Sequence, residues 1–463
     1  MIKSFENNNS LGALSALLSP HLKSKEVLDE LDRFPSQAIV GLGQGGGRIA
    51  TELSRFGFPT FLLNSSKSDM EEHKRLISED RRIVTKSKLY PELEGTDKNA
   101  QLGYDIATEN KELYKMVALT PEIQNAEFVW ATVSLGGGTG NGALKVALAY
   151  LSAVRKKRAL PDGNIPLGII CSLPSSDEKG SSFRKNALAG VAVIQQLMNE
   201  RKIGNVLIID NEKIKNYYAK DPLKTYNGTE IDAKSYSNMV VASILAEISS
   251  LPLLDGRSVF DKTELLATLS TPGWLSISKN NKVSEIDNLE HTIHDLFNDS
   301  EVLAEYELSN IAAGAIAVMY PSGKNISPKI ADDVYQYTSN LLNTKVNLSI
   351  STNSKVENLT FYGLTVNHTP SVRITQLKEE LTEWIKLEEE QERAKQEASS
   401  SLGLDEFADF FSSERKNHKG RGEISLSDLN ELDNTFELGE VSFKENDSKN
   451  EKSMEEELDD LDI

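Results

Sequence analysis

The chain has 463 residues, enough for two or three domains with a substantial core. Its formal net charge is −19, and −12 of this falls on residues 399–463, where 7 Lys and Arg stand against 19 Asp and Glu. That balance argues against direct DNA binding by the tail and for a basic protein partner. No apolar run reaches the roughly 18 residues of a membrane span, and the first ten residues lack a signal-peptide core. One cysteine, Cys171, excludes an internal disulfide framework, so a reducing cytoplasm is the expected setting, with no membrane attachment.

Leucines recur at helical spacing between residues 11 and 33, which predicts an amphipathic helix in an N-terminal extension, 1–36. From Gln37 strands and helices alternate. The expected strands are Ala38–Leu42, Thr60–Leu63, Arg82–Thr85, Phe128–Val133, Leu167–Ser172 and Val206–Ile209. The expected helices between them are Gly47–Phe56, Leu102–Leu119, Ala143–Arg155 and Phe183–Asn199. This alternation predicts an α/β class domain over 37–235, a doubly wound parallel sheet covered on both faces. Tyr236–Ser250 reads as one long apolar helix at the far edge of that sheet, a connector over 236–251. Apolar runs Ile311–Met319, Val346–Ile350 and Leu359–Val366 then predict a smaller α+β domain over 252–370. A charged helix over 371–398 and an acidic, disordered tail over 399–463 with isolated apolar clusters complete the chain.

Several residues read as ordinary structure. Cys171 ends an apolar strand and reads as a small buried side chain. His291 and His294 have no third ligand nearby and read as a polar helix face, so no metal site of their own is expected. Arg155-Lys-Lys-Arg158 reads as a helix C-terminus answering the helix dipole.

Two glycine loops carry the chemistry. SLGGGTGNGA (Ser134 to Ala143) lies between a strand and a helix, the layout in which bare N–H groups and a helix start surround a phosphate. GLGQGGGRIA (Gly41 to Ala50) follows the first strand and contains the dinucleotide-binding spelling Gly41-x-Gly43-x-x-Gly46. An NAD-dependent oxidoreductase is disfavoured, because Asn64-Ser65-Ser66 ends the second strand where an acidic ribose ligand would stand. A P-loop ATPase is disfavoured too, since no Gly-Lys-Ser/Thr follows either loop.

The two loops resemble those of the tubulin/FtsZ superfamily of GTPases over residues 37 to about 395. So do LIIDNEKI (Leu207–Ile214), SYSNMVVASILAEI (Ser235–Ile248), FDKTELLATLSTPGWLSI (Phe260–Ile277) and the late charged helix, and within the superfamily the TubZ branch of plasmid and phage segregation tubulins is nearest. The resemblance implies GTP/GDP binding with Mg²⁺. It places Gly43, Gln44 and Gly45 under the α- and β-phosphates, and Gly136, Gly137, Gly138, Thr139 and Gly140 around the β- and γ-phosphates. Asn64 and Ser65 would stand near the γ-phosphate, as would the loop Gly95 to Asn99. Asn211 and Asn238 would read the guanine edge, for which a carboxamide has both donor and acceptor. Glu178 and Arg184 are the ribose candidates, in a segment that departs from the family spelling.

Asp261 and Glu264 could be no more than a helix cap and a first-turn acid. The resemblance makes them the catalytic pair, presented to the nucleotide of the next subunit, with Val259 replacing the family's first Asn. Hydrolysis would then depend on head-to-tail homopolymerisation. Segregation would run through a DNA-binding adaptor protein gripping the C-terminal tail. An FtsZ-like cell-division or other scaffold filament and a non-polymerising nucleotide sensor are the rival readings.

Overall fold

The computed structural model describes residues 20–220, 222, 224, 228–258, 260–283, 288–298, 303–308, 311–324 and 327–401. The expected N-terminal helix lies partly outside the described residues, and the acidic tail from 402 onward lies wholly outside them. Residues 20–33 form short turns and one helical turn, Lys25–Leu28, capped by the Ser24 side chain.

The first six strands are β1 (Gln37–Leu42), β2 (Thr60–Asn64), β3 (Arg82–Val84), β4 (Phe128–Ser134), β5 (Leu167–Leu173) and β6 (Asn205–Asp210). They pair in parallel in the order β3-β2-β1-β4-β5-β6. Every residue of β1, β2, β5 and β6 is buried, which is why these strands read as continuous apolar runs rather than alternating ones. The doubly wound sheet expected from the sequence is therefore present. Helices α1 (Gly43–Ser54), α2 (Ala100–Glu109), α3 (Lys111–Ala118), α4 (Thr139–Lys156) and α5 (Ser181–Asn199) cover it. One helix expected over Leu102–Leu119 is two, α2 and α3, because Asn110 turns its Nδ2 onto the Lys86 and Ile106 carbonyls.

After α6 (Asn211–Tyr218), the long helix α7 (Ala233–Ser250) lies across one face of the sheet, not at its edge. Residues 240–250 are buried without interruption, so no side of this stretch is left for solvent. It packs on α1 and the β1–β4–β5–β6 face and on the strands that follow. Those strands are β7 (Gly256–Ser258), β8 (Gly273–Val283), β9 (Ile311–Pro321), β10 (Val346–Asn353) and β11 (Leu359–Asn367), with α8 (Lys262–Ser270), α9 (Leu289–Asn298) and α10 (Lys329–Leu342) between them. β6 pairs with β8 over Asn205–Leu207, so one eleven-stranded sheet runs through both halves, continuing β8-β11-β9-β10-β7. The final helix, α11 (Arg373–Ser401), returns to pack on α5.

A buried ion pair joins the halves. Glu247 of α7 is fully buried and accepts from Lys279 Nζ of β8 at 2.8 Å. Tyr362 Oη of β11 donates to it at 2.6 Å and Ser243 Oγ at 2.7 Å. Removing the cation alone would leave a buried carboxylate without its Lys279 counter-charge. Lys279→Met should therefore lower unfolding free energy by about 3–5 kcal/mol, and Glu247→Leu added to it should restore part of that loss. Guanidinium unfolding of the two variants checks this; equal losses would show that the stranded carboxylate is not the source of the cost.

Candidate functional site

The order of the parallel strands reverses between β1 and β4, where open α/β sheets bind ligands beyond their strand ends. Helices α1 and α4 both begin there. Their N-cap residues are Leu42 and Gly138, and neither first turn receives a side-chain cap. Side chains do cap α2, α6, α7 and α8, through Asn99, Asp210, Asp232 and Asp261. Two helix starts with open N–H groups thus converge on one crevice, an arrangement suited to a polyanion.

Glycine makes the convergence possible. Gly43 has φ +64°, and an ideal Cβ on it would stand 2.6 Å from Gly140 N. A Cβ on Gly140 would stand 2.5 Å from Leu42 O, and one on Gly138 would lie 2.2 Å from Thr96 Oγ1. The expected phosphate residues Gly43, Gln44, Gly45 and Gly136 to Gly140 are therefore brought together on one edge of the sheet. Thr139 Oγ1 lies 3.0 Å from Ser65 Oγ and 3.3 Å from Thr96 Oγ1, so three hydroxyls from three loops meet at the α4 start.

Two residues that the sequence reading missed hold this edge. Asp69 accepts from Gln44 Nε2 at 3.0 Å and from Asn64 Nδ2 at 3.2 Å, tying the first loop to the end of β2. Its signal was the Ser66-x-x-Asp69 spacing, a helix-start pattern realised in the Ser66 cap on Asp69 N. Asn186 of α5 turns Nδ2 onto the carbonyls of Lys98, Gly136 and Gly137, at 2.7, 3.3 and 3.5 Å. In the loop Gly95 to Asn99, buried Thr96 reaches inward, whereas exposed Asn99 caps α2 by accepting from Leu102 N. Gly95, at φ +80°, supplies the turn.

On the other side of the crevice Asn211 opens α6 and Asn238 sits in the second turn of α7; both are half-buried. Rings of Tyr218 and Tyr236 stack at 4.2 Å and hold the two helices together. Asp210 caps α6 through Glu212 N and Lys213 N. Burial pushes its carboxyl up, against the pull of the Lys213 N–H and Arg373. Glu178 remains beside this edge, accepting from Ser175 N and pairing with Lys234 at 3.1 Å.

Arg184 is not free to take a ribose. It is buried, donates to Glu380 at 2.9 Å and to the Ser175 and Gly180 carbonyls, and lies against Trp384. Its charge is used to dock α11 on α5, together with Glu388, which accepts from Ser181 N and Oγ.

Asp261 and Glu264 stand at the opposite edge. α8 ends beside the start of β6, where Asn205 Nδ2 donates to Thr268 O, and Lys262 pairs with Glu127 just before β4. The acids are thus separated from the glycine loops by the length of the strands, about 20 Å. Both are exposed and form a reciprocal capping box, Asp261 Oδ1 accepting from Glu264 N at 2.8 Å and Glu264 Oε2 from Asp261 N at 3.2 Å. Val259 lies outside the described residues.

Among the described residues no group of three or more His, Cys, Asp or Glu could hold a metal. His291 and His294 both approach Asp295, a polar helix face as expected. Cys171 is buried and its thiol is pushed up to about 12, so it is inert. Arg155 differs from its reading: it is fully buried, with its guanidinium on the Ile123, Gln124 and Glu127 carbonyls. No described helix is long and apolar enough to cross a membrane.

No family model matches the chain. It is 27% identical over 256 residues to the tubulin-like protein TubZ of Bacillus cereus, covering 52% of this chain and 54% of that one. That match spans about half the length of the relative. It is 23% identical over 389 residues to the tubulin-like protein CetZ of Pyrococcus abyssi, covering 81% of this chain and 98% of that one. A GTPγS-form protofilament structure of TubZ from Bacillus thuringiensis serovar israelensis superposes with TM-score 0.65 at 20% identity, covering 81% and 98%. These likenesses give the chain the fold of the tubulin-like proteins.

Gly138→Ala should lower affinity for a polyphosphate ligand at least about 100-fold, because the added methyl enters Thr96 and the Asn99 backbone. Arg184→Lys should leave that affinity within about twofold while costing about 1–3 kcal/mol of stability, as expected of a buried guanidinium that loses hydrogen bonds. Calorimetric titration and unfolding curves measure both, and a selective loss of binding in Arg184→Lys would return that residue to the ligand.

Proposed function

We propose that the chain is a GTPase that assembles head to tail and completes its active site only between subunits. The observation that carries this is the division of the chemistry: two uncapped helix starts on one edge of the sheet, two exposed carboxylates on the other. A chain built this way offers complementary ends, and a contact between unlike ends that does not close gives a filament.

In the proposed site the first-turn N–H groups of α1 and α4 bind the phosphates, and Asn211 and Asn238 hydrogen-bond the guanine. Thr139, Ser65 and Thr96 present hydroxyls to the outer phosphates. The residues present fit a Mg²⁺ that arrives on the phosphates, since such an ion keeps several waters and needs only one or two protein oxygens. Thr139, Ser65 or Asp69 would supply them, and the bound ion would draw charge from the leaving diphosphate. Asp261 and Glu264 of a second copy orient the attacking water and accept its proton as its oxygen bonds to phosphorus. The leaving diphosphate oxygen departs toward the backbone N–H groups, which stabilise its developing charge.

Its resemblance to TubZ supports, within this reading, a filament that segregates plasmid or phage DNA in the cytoplasm. The acidic residues 399–463 would serve a DNA-binding adaptor protein and not DNA itself. The tail lies outside the described residues.

Asp261→Asn keeps an N-cap oxygen and removes the charge. It should assemble with GTP into filaments that persist, with turnover reduced about 100-fold or more. Sedimentation and phosphate release measure the two effects, and turnover at the unsubstituted rate in the sedimented polymer would remove Asp261 from the reaction.

A further inference from the structure

Lys262 stands between the two acids of the α8 capping box, at a position where a helix disfavours a cation. First-turn residues face the positive end of the helix dipole, which suits Asp261 and Glu264 and opposes an ammonium. Glu127, the residue before β4, answers that charge: its Oε1 lies 2.7 Å from Lys262 Nζ.

Glu127 is itself held by several contacts. Its Oε2 accepts from Ser36 N at 2.8 Å, and its own N–H donates to Ser36 O at 2.8 Å. Its carbonyl accepts from buried Arg155 at 3.3 Å. Ser36 immediately precedes β1, so the carboxylate is seated on the N-terminal ends of β1 and β4. These are the two strands whose other ends lead into the glycine loops.

On the far side of Asp261, Phe260 is buried in the main core with Leu265, and the two occupy the positions of a hydrophobic staple. Asp261 is therefore bracketed, with an apolar anchor before it and a charged one after it. The apolar anchor fixes where α8 begins. The pair between Lys262 and Glu127 fixes how its first turn is rotated about the helix axis. The two side chains are 41% and 32% exposed, and a pair so exposed contributes little to folding. What it supplies is direction.

We propose that Glu127, acting through Lys262, is a positioning residue for hydrolysis, setting the angle at which Asp261 and Glu264 meet a nucleotide on a neighbouring copy. This rests on the head-to-tail reading above and adds to it two residues that act on the acids and not on the nucleotide. A displacement of the acids by a fraction of their reach slows the reaction without loosening the subunit contact.

The test measures phosphate release per sedimented polymer for the full chain with GTP and Mg²⁺, with guanidinium unfolding alongside. Glu127→Gln keeps an oxygen for Ser36 and removes the charge opposite Lys262. It should lower turnover in the polymer about fivefold or more, with polymer yield and unfolding midpoint unchanged. Lys262→Met should do the same, and the double variant should be no slower than either single one, because both break one link. Lys262→Arg should keep most of the turnover. Losses that multiply in the double variant would mean that Lys262 meets the neighbour's phosphates directly, and would overturn the proposal. Unchanged turnover in both single variants, or a fall matched by lost polymer or lost stability, would overturn it as well. An unsubstituted chain that neither sediments nor releases phosphate with GTP is a separate result, and it would remove the head-to-tail reading itself.

Discussion

The contact between Gly43 and Gly140 sets the geometry of everything at the phosphate edge. Two helices can begin side by side at the switch point only if no Cβ separates their first residues, and here an ideal Cβ on Gly43 stands 2.6 Å from a backbone nitrogen. That approach aims both first turns at one volume. Because neither turn has a side-chain cap, the N–H groups there have no competing acceptor of their own chain. Asp69 and Asn186 then fix the loops from behind, one through side chains and the other through carbonyls. Binding capacity at this edge is thus a property of backbone, which is why glycines and helix starts carry it and why so few charged side chains are needed.

The relation between that edge and the opposite one is equally constrained. β6 and β8 belong to a single sheet, and α7 is buried against both halves with Glu247 held by Lys279 and Tyr362. Burial and the Glu247 charge push the Tyr362 hydroxyl well above its ordinary range, so it stays a donor. α11 adds a second brace, its Glu380 joining Arg184 to Arg373, which reaches the Pro174 carbonyl just after β5. On the proposed function, a phosphate-binding edge and a carboxylate edge held at fixed separation in one body would meet through another copy.

Much of this was legible in the sequence, for reasons specific to the residues. β1, β4 and β5 are nearly continuous apolar runs followed by glycine or polar turns, so strand and loop are visible without tertiary information. Asp261 and Glu264 were visible as a pair because acids at i and i+3 mark a helix start, which the capping box realises; the catalytic role came only with the resemblance. Arg184 was misread because a sequence gives a charge and not a direction: one turn of α5 decides whether it meets a ribose or Glu380 of α11. α7 was misplaced for a related reason. Its uniform apolarity says that it is buried but not against what, and only the pairing of β6 with β8 puts protein on both sides of it. Asn186 was passed over because a supporting contact across 50 residues leaves no local pattern, and the local pattern at Asp69 shows only a helix start and not its contact with Gln44.

The capping box at the start of α8 brings the bland and the functional readings of Asp261 and Glu264 together. Each carboxylate gives one oxygen to a backbone N–H of the box, Oδ1 of Asp261 and Oε2 of Glu264. Each therefore keeps a second oxygen that faces away from those bonds, on a side chain whose rotation the cap has already restricted. On the proposed function, that second oxygen is what a neighbouring subunit's nucleotide would meet. Orientation fixed before the subunits join costs nothing when they do, and it is the part of catalysis that a lone carboxylate on a flexible loop would lack. The cap is then the means by which an exposed edge of one chain can be a usable half of another chain's site.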